Sequence, residues 1–273
     1  MSLVLVSDTY LSDIADAIRE KLGVATTYKP SEMAAAIMTI SGGGTVTLNG
    51  VPYSSVSYSG QTSGSATLDS SGTASLVLSG GTYTFVNTVT IDGIGYTAYT
   101  KTAAVAGDST TVNLFPAGAL YWYGRSSTNF ADAGSYTPPG SSTWGQNIAM
   151  TAGTNCISGT AETSSGTHRD VMWGSAAKID TTGYTYLKAR LIVDWSATNS
   201  TQNNVALKST KSFTANTVKT VNLGSAEYDG FSDINIMSVT DAQGENYLCG
   251  NAGSTYNSGA VSVTMKILAL WLE

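Results

Sequence analysis

The chain has 273 residues, of which 42% are hydrophobic and only 12% charged, and its 13 Lys and Arg against 19 Asp and Glu give a net charge of −6. That apolar fraction can build cores and excludes a disordered chain, which combines low hydrophobicity with high charge. The nearest thing to a basic cluster is Lys188 with Arg190, so no nucleic-acid partner is expected. No apolar run approaches about 18 residues, so no membrane span is expected. The opening MSLVLVSD is too short an apolar run for a signal peptide and lacks a basic start. A surface covered mainly by Ser, Thr, Asn and Gly suits work outside the cytoplasm or inside an assembly. Release by host-cell lysis would reconcile such a location with the missing signal.

Residues 1–44 read as a helical attachment or oligomerisation segment with a Gly linker. Leu11, Ile14, Ala15, Ile18 and Leu22 follow helical spacing, with Ser12 as the expected cap and Gly23 as the stop. A second short helix is expected after Pro30, capped by Ser31, with Met33, Ala36, Ile37 and Ile40 on its apolar face. Ser41-Gly42-Gly43-Gly44 reads as the linker. About forty residues without cysteine rarely fold alone. The expected assembly face is therefore Leu11, Ile14, Ile18, Leu22, Met33 and Ile37, set against the plainer reading of a loose helical tail.

Residues 45–116 alternate with a period of two: Val46 and Leu48, Leu76 and Leu78, Tyr83 and Phe85, Val112 and Leu114. Turn signals divide them at Asn49-Gly50, Asp69-Ser70-Ser71-Gly72, Gly80-Gly81, Asp92-Gly93 and Gly107-Asp108. Seven short strands in a small prealbumin-like or Ig-like sandwich are expected. Residues 117–273 hold all five tryptophans. Strong strands are expected at Tyr186–Val193 and Val261–Leu272, and weaker ones near Leu120, Asn147, Val205, Val218 and Ile234. In the last strand Val261, Val263, Met265, Ile267 and Trp271 share one phase, while Leu268, Leu270 and Leu272 make the other face apolar too. Burial on both faces marks a central or covered strand. The fold class expected is mainly β: a short N-terminal helical hairpin, a small β-sandwich, and a jelly-roll-like β-sandwich.

Little in the sequence carries chemistry. The only histidine, His168, lies beside Arg169 and Asp170, yet no nucleophile motif accompanies it, and a loop position is the plainer reading. The acids sit mostly in turns, where Asp side chains bond the local backbone. Asp241 to Glu245 resembles part of a calcium loop but lacks its alternating ligands, so a hairpin turn is expected. Cys156 and Cys249 have no metal-ligand spacing and are expected to be free, buried thiols. No catalytic, cofactor or metal residue is therefore expected, and the chain reads as no enzyme. Trp144, in the Pro138-Pro139-Gly140 loop, and nearby Tyr136 are candidate glycan contacts, set against a ring folded back on the sandwich. Trp122, Trp173, Trp195 and Trp271 are expected in the core.

Residues Tyr10–Gly23 followed by Tyr28–Ile37 resemble a leader of phage tail and baseplate-associated proteins from phages of Gram-positive gut bacteria, with the pattern L-x-x-I-A-D-A-I-R-x-K-x-G … Y-x-P-x-E-M-x-x-A-I. The stretch Ile179–Lys188 and the ending Val263–Glu273 resemble the C-terminal domains of the same proteins. The middle region, at Thr45–Gly50, Gly72–Leu78, Gly81–Phe85 and Gly95-Tyr96, resembles prealbumin-type sandwiches, without the PEGA tetrapeptide. The resemblance implies a virion structural protein, a tail, baseplate or fibre component, with other virion proteins as partners, a homo-oligomer (a trimer by analogy with fibres), and host-surface glycan as a ligand. A capsid-decorating or head-fibre protein and a stand-alone carbohydrate-binding module are the alternatives. The middle sandwich would then serve as a spacer.

Overall fold

The computed structural model describes residues 7–22, 25, 27–33, 43–106, 109–136, 148–163, 168–196, 201–255 and 261–273. The chain is mainly β, with a short helical leader ahead of two β-sandwiches. Helix α1 (Asp8–Leu22) starts a turn earlier than Ser12 would place it. The Ser7 carbonyl accepts the Tyr10 and Leu11 N–H groups at 3.1 and 3.3 Å, and Asp8 puts a negative charge on the positive end of the helix. Residues 30–33 are also helical. This turn begins at Pro30 itself, whose fixed φ suits a first helical position, and the Glu32 carboxylate accepts the Lys29 N–H at 3.0 Å. Ser31 is thus inside the helix and does not cap it.

Among the described residues the leader's apolar cluster is made of leader side chains: Ala15, Ile18 and Met33, with Leu11 and Tyr28 packed on them. Ile14 stands away from it, 43% exposed, near Tyr10 at 66%. The expected assembly face therefore splits, with Leu11, Ile18 and Met33 spent on internal packing and Ile14 facing outward. The side chains of Leu22 and Ile37, the Gly23 stop, and Ser41-Gly42 lie outside the described residues.

The middle region has seven strands: β1 (Gly44–Asn49), β2 (Ser55–Ser59), β3 (Ser63–Thr67), β4 (Thr73–Leu78), β5 (Gly81–Ile91), β6 (Ile94–Val105) and β7 (Ser109–Asn113). They form two sheets ordered β4-β1-β7 and β3-β2-β5-β6, with β1 antiparallel to β4 and parallel to β7. The alternation read from sequence is the core: Val46, Leu48, Val112 and Leu114 from one layer meet Val56, Tyr83, Phe85 and Val105 from the other. Asp69 ties the turn before β4. Its carboxylate accepts the Thr73 N–H at 2.8 Å and the Ser71 N–H at 2.9 Å, as well as both hydroxyls. These bonds, led by the one from the Thr73 backbone, hold its pKa down at about 2. Asp92 and Gly93, with φ of 52° and 81°, make the tight β5–β6 hairpin. Gly107-Asp108 lies outside the described residues.

The third region is a larger sandwich of β8 (Ala119–Trp122), β9 (Arg125–Ser126), β10 (Ile148–Ala149), β11 (Thr151–Ala152), β12 (Ile157–Thr163), β13 (His168–Gly174), β14 (Ile179–Asp180), β15 (Tyr186–Trp195), β16 (Thr201–Lys208), β17 (Thr217–Asn222), β18 (Tyr228–Asp229), β19 (Ile234–Ser238), β20 (Glu245–Thr255) and β21 (Val261–Leu272). One sheet runs β10-β13-β20-β16-β17, with β14 also on β20. The other runs β11-β12-β21-β15-β18, with β19 also on β15 and the β8–β9 hairpin on β21. Trp173, Trp195, Leu187, Leu191, Val205, Leu248, Met265 and Ile267 fill the space between them.

Three long strands, β12, β13 and β20, have no strong alternation in sequence. In β20 the reason is visible. Gly250 occupies an inward position, and a Cβ there would lie 2.7 Å from the Trp173 indole. The neighbouring strand's large ring fills the core, so β20 carries no apolar residue at that point. The Asp241–Glu245 segment is not a hairpin turn either. It carries the chain from β19 in one sheet to β20 in the other, and Asp241 is ion-paired with Lys219. Among the described residues no cluster of acids, His and Cys could hold a metal ion.

Strand β21 is central and covered on both faces, as its sequence implies, but the phase of its last residues differs. Its register with β15 slips between Arg190 and Leu191, so that Leu191 pairs Ile267 while Arg190 pairs Ala269. This bulge reverses the alternation. Leu270 and Leu272 join the sandwich core, while Leu268, Ala269 and Trp271 pack in a cluster on the outer face.

Candidate functional site

That outer face is where the two sandwiches meet. Leu268, Ala269 and Trp271 of β21, with Trp122 and Tyr123 at the end of β8, pack against Val51, Val89, Ile91, Tyr96 and Ala98 of the middle sandwich. All of these side chains are at most 5% exposed. The middle sandwich is therefore not an independent spacer. It shares a second hydrophobic core with its neighbour, and Trp122 and Trp271 are core residues of the junction rather than of either sandwich.

Polar contacts close the edges. Asn155 Nδ2 donates to the Thr90 carbonyl at 3.1 Å, Arg125 Nη1 donates to Asn49 Oδ1 at 2.6 Å, and Lys266 pairs with Asp92. Phe231 stacks on Tyr96 with ring centroids 4.6 Å apart. Gly230, with φ of 83°, lets the chain pass this point: a Cβ would lie 2.7 Å from Leu268 and about 3 Å from Ile192 and Tyr96.

Arg190 organises the centre. Along β15, Leu187, Ala189, Leu191 and Val193 are buried, which puts Tyr186, Lys188, Arg190 and Ile192 on the opposite, outer face. The Arg190 Nη1 donates to the carbonyls of Thr97 (2.8 Å) and Ala98 (3.1 Å) and to the Tyr123 hydroxyl (3.1 Å), while Nε donates to Asp233 at 2.6 Å. Burial works against its charge, but the Tyr123 hydroxyl and the Asp233 carboxylate more than offset this and raise its pKa. Tyr123 sits at φ 47° in the Tyr123-Gly124 turn between β8 and β9, a conformation unusual for a bulky residue. Its backbone N–H donates to the Leu268 carbonyl at 2.8 Å, and these bonds hold the turn in place.

Beside this junction lies a cleft of about 430 Å³, lined by Tyr99, Trp122, Tyr184 and Trp271, by Arg190, Asp233 and Glu273, and by the connecting residues 116–118. Its size falls in the roughly 300–1,000 Å³ range of small-molecule sites, and its lining has the usual mix of apolar wall and a few polar groups. Trp122 and Trp271 meet edge to face, with centroids 5.5 Å apart, and Tyr99 meets Trp122 the same way at 5.9 Å. Lys188 pairs with Glu273 as Arg190 pairs with Asp233, so the two cations of the face are each matched by a carboxylate.

Of the two residues singled out from sequence as glycan contacts, Tyr136 is described and does not line this cleft. Tyr136 is 4% exposed, its hydroxyl donating to the Ser175 carbonyl at 2.8 Å. Its ring lies against Gly174, where a Cβ would come within 2.6 Å, and 5.0 Å from Phe213. It is a covered structural residue and offers no free ring face. Trp144 and its loop lie outside the described residues, as does the side chain of His168, whose backbone begins strand β13 rather than sitting in a loop and pairs with Thr255 of β20. Trp173 and Trp195 are in the core, as expected. Cys156 and Cys249 are both free. Burial pushes the Cys249 thiol up to about 12, and Cys156, half-buried, is raised for the same reason.

The cleft escapes sequence reasoning because its residues come from five separated segments. One signal was available: Lys188 and Arg190 stand two apart in the otherwise apolar run Tyr186–Val193, which places both charges on one outward face.

No protein-family model matches the chain, and no curated protein matches it. Similar solved structures include a DUF3823 family protein from Bacteroides ovatus ATCC 8483, at 12% identity over 79% of this chain and 100% of that one, with a TM-score of 0.24. A second, a carbohydrate-binding module of the β-sandwich superfamily, has 14% identity over 82% and 85% with a TM-score of 0.30. A DUF3823 family protein from Parabacteroides merdae ATCC 43184 has 9% identity over 76% and 96% with a TM-score of 0.23. At these scores the likeness carries no argument about what this chain does, and its β-sandwich fold rests on its own sheets.

Proposed function

We propose that this chain is a non-catalytic component of a bacteriophage virion, of the tail, baseplate or fibre, whose paired sandwiches bind host-surface saccharide. The observation that carries the proposal is the division of the molecule. Among the described residues the leader's apolar cluster is made of leader side chains, with Tyr10 and Ile14 exposed, whereas the two sandwiches are joined by a shared core. That division suits a segment that docks on other virion proteins and a rigid body that is displayed. The leader's resemblance to those of phage tail and baseplate proteins points the same way. The test is deletion of residues 1–44. The truncated chain should keep its β-sheet spectrum and melting transition but be absent from purified particles. Normal incorporation would overturn the docking role, and imaging of particles would separate a tail position from capsid decoration.

A carbohydrate-binding module acting alone is the second reading, favoured by the aromatic cleft at the junction. The two readings share the saccharide-binding step and differ in what the leader does.

A further inference from the structure

We infer that the cleft at the sandwich junction is the saccharide site, and that its ligand is uncharged. This rests on the saccharide-binding part of the proposed function and assigns it to residues. Sugar rings have apolar C–H faces and a rim of hydroxyls. The cleft offers a matching arrangement, the half-buried rings of Tyr99 and Tyr184 beside the buried Trp122 and Trp271, with Arg190, Asp233 and Glu273 as hydrogen-bonding groups.

Charge selects among saccharides. Lys188 is already paired with Glu273 and Arg190 with Asp233, so the site has no unbalanced cation for a uronate or phosphate and no unbalanced acid for an amine. The carboxylates remain half or more exposed beside the cleft, free to accept further bonds from hydroxyls.

The site is also preformed. Arg190 is held by four acceptors, and its walls come from two bodies locked by a common core. Binding would therefore require little ordering of the protein.

The experiment is titration of the full chain with neutral oligosaccharides of glucose, galactose, mannose and N-acetylhexosamines, and with a uronate-containing counterpart, read by tryptophan fluorescence and calorimetry. Asp233→Asn and Glu273→Gln keep the shape of the cleft, Tyr99→Ala removes one wall, and Trp144→Ala tests the other aromatic singled out from sequence. Each variant is checked by its melting transition. The expected result is binding of a neutral saccharide that weakens about tenfold or more in Tyr99→Ala, weakens in at least one carboxamide variant, and is unchanged in Trp144→Ala. Binding that survives all three cleft substitutions, or a preference for the uronate, would overturn this inference while leaving saccharide binding intact. Absence of binding by every probe would overturn both.

Discussion

The leader and the sandwich junction are both places where apolar side chains meet, yet they solve opposite problems. At the junction, large rings from both sandwiches interlock around Trp122 and Trp271, and Arg190 satisfies two backbone carbonyls of the partner sandwich. In the leader, Ala15, Ile18 and Met33 make a minimal cluster, while Tyr10 and Ile14 are left exposed. A shared core of buried aromatics fixes relative position. A helix with its own small core and an exposed stripe can attach to another body without disturbing the first. Rigidity at the proposed ligand cleft, and independence of the proposed attachment segment, is the division of labour this architecture permits.

Substitutions can test how far that contrast goes. The largest effect is expected from Trp271→Ala. Truncating a fully packed tryptophan costs about 3–5 kcal/mol. Because the ring serves the junction, denaturation followed by probes in each sandwich should change from one transition to two. A single undivided transition at lower denaturant would mean the sandwiches are coupled by more than this core.

Arg190→Ala should come next. It removes the donor from Asp233, the Tyr123 hydroxyl and two carbonyls, a loss of about 2–3 kcal/mol. The Tyr123 turn should loosen with it, seen as faster amide exchange at Tyr123 and Gly124. Unchanged exchange there would show that the Leu268 carbonyl alone holds the turn.

The smallest effect on stability is expected from Ile14→Asp. The side chain is outside the leader cluster, so the sandwich transition should not move at all, and helix content should be kept. Loss of particle incorporation with an intact melt would sharpen the contrast, because the same residue would then matter only to assembly. A lowered sandwich transition would break it.

Much of the fold could be read before the structure was seen, and for a definite reason. In the middle sandwich Val46, Leu48, Tyr83, Phe85, Val112 and Leu114 fill their own core, so the alternation in sequence is the alternation in space. In the larger sandwich the same logic works for β15 and most of β21 but fails for β20, where Gly250 yields its place to Trp173. Periodicity reports what a strand contributes and is blind to what a neighbour lends it. Trp271 was misplaced for a related reason, since a bulge shifts phase without leaving a mark in composition. Tyr136, a candidate for display beside a Pro-Gly loop, is covered instead, because the distant Gly174 gives its ring a bed. The cleft itself was hidden because no single segment owns it.

The position of β21 also bears on how the molecule comes into being. It is the last described strand of the chain, yet it lies between β12 and β15, pairs with β8, and supplies the junction's Leu268 and Trp271. On a ribosome the middle sandwich, complete by β7, can close early. The larger one must wait with β12 and β15 unjoined until β21 emerges, and sheets that depend on such distant pairings form slowly. Until then two strand edges and the apolar patch on the finished sandwich remain uncovered. Arrival of one strand then seals the sheet, the patch and the cleft together, so maturation of the cleft and closure of the larger sandwich are a single event.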